Sequence, residues 1–159
     1  MVRKLSGSAL VADSSPYTTN LVAAMLRNLG FADIREAHDS RLASAILDLQ
    51  DFDVLLLDDR LAGRDGVALT RWLRTREGGR NRRVAVLMMS GQPDGGKLAS
   101  ARDAGITEFL RKPFSAAQLE QRLAAMRAQP RPFVEAPAYA GPDRRRRGDA
   151  PTGVERRGT

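Results

Sequence analysis

Residues 53–58 read DVLLLD. Four consecutive aliphatic residues, Val54 to Leu57, stand between two aspartates. Successive side chains on a strand point to opposite faces. A continuous apolar run therefore needs both faces covered, which is the situation in parallel sheets flanked by helices. The run is too short for an independent helix. Working outward, the same motif recurs. SALVA (8–12), ADIREA (32–37), VAVLMMS (84–90) and TEFLRK (107–112) read as four more strands. Between them lie helical patterns at 16–30, 39–50, 66–76, 96–105 and 115–129. Pro16 suits a first helical turn and Gly30 a stop. In the second helix Leu42, Ile46 and Leu49 fall on one face, the pattern of an amphipathic helix. Five strand–helix repeats imply an α/β fold: a doubly wound, five-stranded parallel sheet with right-handed crossovers.

The chain has 159 residues, no cysteine, one histidine and a formal charge of +7. Without cysteine there are no disulfides and no thiolate metal sites. His38 alone cannot build a transition-metal centre and is expected to cap or lie at the surface. No stretch reads as a leader or a bilayer span, so the expected location is the cytoplasm, without membrane insertion. Arginine outnumbers lysine 23 to 3.

In a doubly wound sheet, ligands collect at the carboxyl ends of the strands. Asp13 follows the first strand, Asp58 ends the third, Ser90 the fourth and Lys112 the fifth. Two carboxylates, a hydroxyl and an ammonium on one edge suit phosphoryl chemistry. One carboxylate accepts, the other holds Mg²⁺, and the hydroxyl and ammonium steady the phosphoryl oxygens. Asp59 is expected to point away from Asp58, because strand side chains alternate.

LVADSSP (10–16), LLLDDRLAGRDG (55–66), LMMSG (87–91) and FLRKPFS (109–115) resemble the signature segments of response-regulator receiver domains, the CheY-like fold. The resemblance covers roughly residues 6 to 128. It implies that Asp58 is the phospho-acceptor, Asp13 a metal-site acid, Ser90 the switch hydroxyl, Lys112 the partner lysine and Phe109 the switch aromatic. It also implies that Arg60 offers its backbone carbonyl to the metal and that a histidine kinase is the phosphoryl source. Where the family usually has a second acid after the first strand, this chain has Ser14. Leu61-Ala62 replaces the usual methionine-proline, and Arg60 brings a cation near the pocket. A hydroxyl is a poorer Mg²⁺ ligand than a carboxylate, so weakened metal binding and weakened phosphorylation are expected.

Receiver residues 1–129 are followed by an arginine-rich extension, 130–159. It is rich in proline, lacks a helical period, and is expected to be largely disordered without a ligand. It holds YAGPDRRRRGD (139–149), and GPDRR (141–145) returns as GVERR (153–157). One reading is a solvated tail that keeps the protein soluble. A nucleic-acid tether is a weaker reading, because acids interleave the arginines and no DNA-binding module is present. The favoured reading is a guanine-nucleotide clamp. Guanidinium matches guanine O6 and N7, a carboxylate accepts from its N–H edge, and an aromatic stacks on the base. Arg131, Tyr139, Asp143, Arg144, Arg145, Arg146, Arg147 and Asp149 supply those parts. A stand-alone receiver with this tail resembles the CheY-like cyclic di-GMP effectors called Cle proteins. That resemblance implies cyclic di-GMP as ligand and a protein partner such as the flagellar motor switch, with recruitment to the motor or cell pole. The expected role is signalling rather than turnover. The alternative is a conventional phospho-receiver with a passive tail.

Overall fold

The computed structural model describes residues 5–145. Five strands, β1 (Ser8–Ala12), β2 (Asp33–Ala37), β3 (Val54–Asp58), β4 (Ala85–Ser90) and β5 (Glu108–Arg111), form one parallel sheet in the order β2-β1-β3-β4-β5. Helices α1 (Pro16–Leu29), α2 (Ser40–Leu49), α3 (Gly66–Thr75), α4 (Gly95–Ala104) and α5 (Ala116–Ala128) cover both faces. This is the expected CheY-like architecture.

The DVLLLD run behaves as its alternation demands. Leu55 and Leu57 join Leu10, Val86 and Met88 in a core with Ala43 and Leu47 of α2 and Leu69 and Leu73 of α3. Val54 and Leu56 face the other way, with Val22 and Leu26 of α1 and Leu119 and Leu123 of α5. All five residues of β3 are buried. The sheet is thus a rigid platform whose carboxyl edge carries the polar residues.

Local signals fix the helix ends. The Ser15 hydroxyl accepts the Thr18 N–H at the start of α1, and Gly30 ends it at φ 110°. A capping box of Ser115 and Gln118 starts α5.

The apolar face of α2 lies largely outside the core. Leu42 and Leu49 are 46% and 81% exposed, Ile46 is only partly buried, and the buried residues are Ser40, Ala43 and Leu47. The first turn of the helix is tied to the loop after β3. The Ser40 N–H donates to Ala62 O at 2.9 Å, and the Ser40 hydroxyl accepts the Arg64 N–H at 2.8 Å.

One part of the extension differs from the expectation of disorder, and residues 146–159 lie outside the described residues. Residues 133–142 are ordered as an antiparallel hairpin, β6 (Phe133–Ala136) and β7 (Tyr139–Pro142), joined by Pro137-Ala138. β7 packs on α3 and α4. The Phe133 ring lies beneath three guanidiniums, Arg74, Arg82 and Arg83, at 5.7, 5.6 and 5.1 Å from its centroid. Arg82 pairs with Glu135, and Arg131 donates to Thr107 O. Gly105 and Gly141 touch: a Cβ on Gly141 would stand 2.8 Å from the Gly105 Cα. Arg74 lies beneath the hairpin, 1% exposed, donating from Nε to Gly105 O at 2.9 Å and from Nη1 to Arg82 O at 2.7 Å. Burial lowers its pKa to about 10. These contacts give the segment an ordered structure that its proline content does not suggest.

Candidate functional site

The carboxyl edge of the sheet gathers the expected residues. Asp13, Asp58 and Ser90 are buried there at 2%, 8% and 0% exposure. Lys112 enters after β5 and binds both acids, with its ammonium 2.7 Å from Asp13 Oδ2 and 3.1 Å from Asp58 Oδ1. The Lys112 N–H donates to Ser90 O at 2.7 Å, which fixes the base of its side chain. One cation thus holds two carboxylates that would otherwise repel each other.

Burial pushes the Asp58 carboxyl above the usual carboxylate range; Lys112 pulls it back, and Asp13 adds to the rise. Burial alone would lower the Lys112 ammonium, but the Asp13 and Asp58 carboxylates outweigh it and raise it. Lys112 therefore stays protonated, and Asp58 is a more basic carboxylate than a surface aspartate.

Ser14 stands beside this pair. Its hydroxyl donates to Arg60 O at 3.4 Å and accepts the Ala62 N–H at 2.8 Å. The carbonyl expected to face a metal is thus the one that Ser14 touches. The Arg60 guanidinium donates to Gln92 Oε1 at 3.0 Å, linking the loops after β3 and β4. Phe109 lies on β5 beside Met88 of β4, half-buried against the α2–α3–α4 core. His38 is exposed and shares a 3.1 Å hydrogen bond with the Thr19 hydroxyl.

The expectation for Asp59 is corrected. β3 ends at Asp58, and Asp59 begins the turn, so alternation no longer governs it. Its carboxylate reaches back into the site, accepting the Ser90 hydroxyl at 2.7 Å and lying 3.5 Å from the Lys97 ammonium of α4. Lys97 is the site residue that the sequence reading missed, and Asp59 the one whose direction it misjudged. Two of the three lysines in this arginine-rich chain, Lys97 and Lys112, sit here. That exception to the bias was the available signal.

Among the described residues no three acids or histidines cluster as a metal cage. Asp13, Asp58 and the Arg60 carbonyl still suit Mg²⁺, which keeps several waters and needs only one or two carboxylates.

At the other end of the sheet, beside the amino end of β5, the hairpin brings part of the proposed clamp together. Arg144 stacks on the Tyr139 ring at 4.5 Å and pairs with Asp103 of α4 at 2.7 Å. Arg131 Nη1 donates to Asp143 O at 3.4 Å, and the Arg145 guanidinium is 3.5 Å from Asp143 Oδ1. The Tyr139 hydroxyl donates to Pro142 O at 2.5 Å. The Arg145 N–H holds the Asp143 carboxyl below its ordinary range, and burial raises the Tyr139 phenol. Arg146, Arg147, Asp149 and the GVERR copy lie outside the described residues. No described helix is long and apolar enough to cross a membrane.

Residues 9–124 match the family model described as response regulator receiver domain. The chain belongs to the response regulator receiver family. Chemotaxis protein CheY-3 of Vibrio cholerae is 31% identical over 114 residues, covering 72% of this chain and 86% of that protein. Chemotaxis protein CheY of Pseudomonas aeruginosa is 30% identical, covering 72% and 90%. Among solved structures, the receiver domain of a Pseudomonas aeruginosa sensor histidine kinase, with magnesium coordinated in its active-site cleft, aligns at TM-score 0.69 and 28% identity. The alignment covers 79% of this chain and all of that one. Vibrio cholerae CheY4 aligns at TM-score 0.70 and 23% identity over 76% of this chain and 98% of that one, a likeness of fold. These matches place this receiver among CheY-like signalling proteins; the hairpin lies beyond the matched segment.

Proposed function

We propose that this receiver is a phospho-acceptor signalling protein in which Asp58 takes the phosphoryl group. The observation that carries the reading is the single Lys112 ammonium bound to both Asp13 and Asp58. The Asp58 carboxylate oxygen forms a bond to phosphorus as the donor's bond to a kinase imidazole breaks, leaving an acyl phosphate on Asp58. Lys112 steadies the charge gained by the transferred group. Asp13, Asp58 and the Arg60 carbonyl would hold Mg²⁺, which when bound neutralises the phosphoryl oxygens. The proposed output is docking through α4, β5 and α5 on a protein partner such as the flagellar motor switch; the relatives' names support a role in chemotaxis. Incubation with acetyl phosphate and Mg²⁺, read by intact mass, tests it. One added phosphoryl group on the unmodified chain and none on Asp58→Asn supports the reading; equal labelling of both sinks it.

A second reading rests on the hairpin. Arg131, Tyr139, Asp143, Arg144 and Arg145 converge beside α4 with an aromatic face, carboxylate and guanidiniums, the parts that a guanine needs. Cyclic di-GMP is the ligand proposed for them, with Arg146, Arg147 and Asp149 completing the clamp. Calorimetric titration should give a dissociation constant on the order of micromolar, about −8 kcal/mol. Binding should be lost in Arg144→Ala/Arg145→Ala, weakened in Tyr139→Ala and kept in Asp58→Asn. Equal competition by GTP or a DNA duplex would reduce the tail to a general cation.

A further inference from the structure

We propose that Asp59 is a positioning residue that holds the resting Ser90 hydroxyl, so that phosphoryl transfer to Asp58 is slowed by the loss of that hydrogen bond as Ser90 turns to the incoming group. The inference rests on the reading of Asp58 as acceptor. Ser90 has one hydroxyl proton, and it is given to Asp59 Oδ2 at 2.7 Å. The oxygen of that hydroxyl also accepts the Gln92 N–H at 3.3 Å. Both side chains are enclosed: Ser90 is fully buried, and the Asp59 side chain is 9% exposed. A hydrogen bond to an ionised acceptor in such surroundings is among the strong ones. The backbone reinforces it, because the Asp59 N–H donates to Met89 O at 3.0 Å. Lys97, in the first turn of α4, is the counter-charge 3.5 Å from the Asp59 carboxylate that offsets its repulsion with Asp58.

A phosphoryl group on Asp58 adds acceptor oxygens and negative charge next to Asp59. The Ser90 proton then has two competing acceptors, and Asp59 loses the contest to the extent that the phosphoryl group binds the hydroxyl. Asp59 forms no covalent bond and moves no proton; it sets the starting position of the hydroxyl.

The test compares Asp59→Ala with its parent in three backgrounds of the full chain, incubated with acetyl phosphate and Mg²⁺ and followed by intact mass. Asp59→Ala removes the competing acceptor and should raise the labelling rate about tenfold, the scale of one charge-assisted hydrogen bond. In a Ser90→Ala background the same substitution should change nothing. In a Ser90→Thr background, which restores the hydroxyl, the gain should return. A gain of equal size in Ser90→Ala would mean that Asp59 acts through its charge alone, and overturns the proposal. So does an unmodified chain that labels while Asp59→Ala labels no faster. Labelling in no variant overturns the proposal together with the reading of Asp58 as acceptor.

Discussion

The Ser14 hydroxyl accepts the Ala62 N–H at 2.8 Å and so ties the end of β1 to the loop that follows Asp58. The same hydroxyl donates to Arg60 O. A metal ion competing for that carbonyl must displace the donor. Ser14→Asp supplies a carboxylate that can still accept the Ala62 N–H and removes the competing proton. Mg²⁺ affinity should rise about tenfold by calorimetry, with faster labelling by acetyl phosphate. Unchanged affinity would mean that Ser14 does not limit the site.

Asp58 gives the fold a pH dependence whose sign follows from its raised pKa. The folded chain holds the Asp58 proton more tightly than the unfolded chain. Its contribution is therefore fully present below the unfolded value of 3.8 and is lost as pH rises through the folded value. At neutral pH the buried charge costs stability. Asp58→Asn should raise the melting temperature at pH 7, since Lys112 keeps Asp13 as its partner. The gain should shrink as pH approaches 3.8. A gain that grew on acidification would contradict the assignment.

Arg74 should be indispensable to the seam between domain and hairpin. Arg74→Ala strands two carbonyl acceptors, Gly105 O and Arg82 O, at roughly 1–3 kcal/mol each. The melting temperature should fall by about 2–4 °C per kcal/mol. Arg74→Lys should recover little, because one ammonium lacks the planar fork that reaches both. Full recovery in lysine would show that charge alone suffices.

Two substitutions at the hairpin seam, one on each side, should separate packing from surface pairing. Phe133→Ala removes a ring shared by three guanidiniums and should cost about 2 kcal/mol. Asp103→Ala removes the acid that Arg144 pairs with, and both side chains are more than half exposed. Thermal melting should barely register that loss, since exposed pairs contribute about 0–1 kcal/mol. The reverse ranking would mean that Arg144 anchors the hairpin.

The sheet and the first tier of the site were legible because each depended on local pattern. Apolar runs marked the strands, and Asp13, Asp58, Ser90 and Lys112 fell at strand ends, where topology alone makes them neighbours. What escaped depended on contacts between distant segments. α2 turns Leu47 and Ala43 to the core rather than Leu42 and Leu49, and its first turn is tied through Ser40 to Ala62 and Arg64 of the loop after β3. The direction of Asp59 escaped because the strand stops one residue earlier than an alternating pattern assumes. The hairpin has neither an Asn-Gly nor an Asp-Gly turn; FVEA and YAGP flank Pro137-Ala138, a weak signal. Its stability comes from guanidiniums contributed by α3 and the loop before β4, which no local window contains.

The contact between Gly105 and Gly141 makes unequal demands on its two members. Gly105 ends α4 at φ 103°, so a receiver with this helix cap would favour glycine there even with no tail at all. A Cβ on Gly141 would meet both the Tyr139 hydroxyl oxygen and the Gly105 Cα, at 2.7 and 2.8 Å. The domain therefore offers a ready-made flat spot, and the tail needs one compatible residue of its own to settle on it. Grafting Phe133–Arg145 onto another receiver would depend less on copying a whole surface than on finding a host whose fourth helix already ends in glycine above a buried arginine.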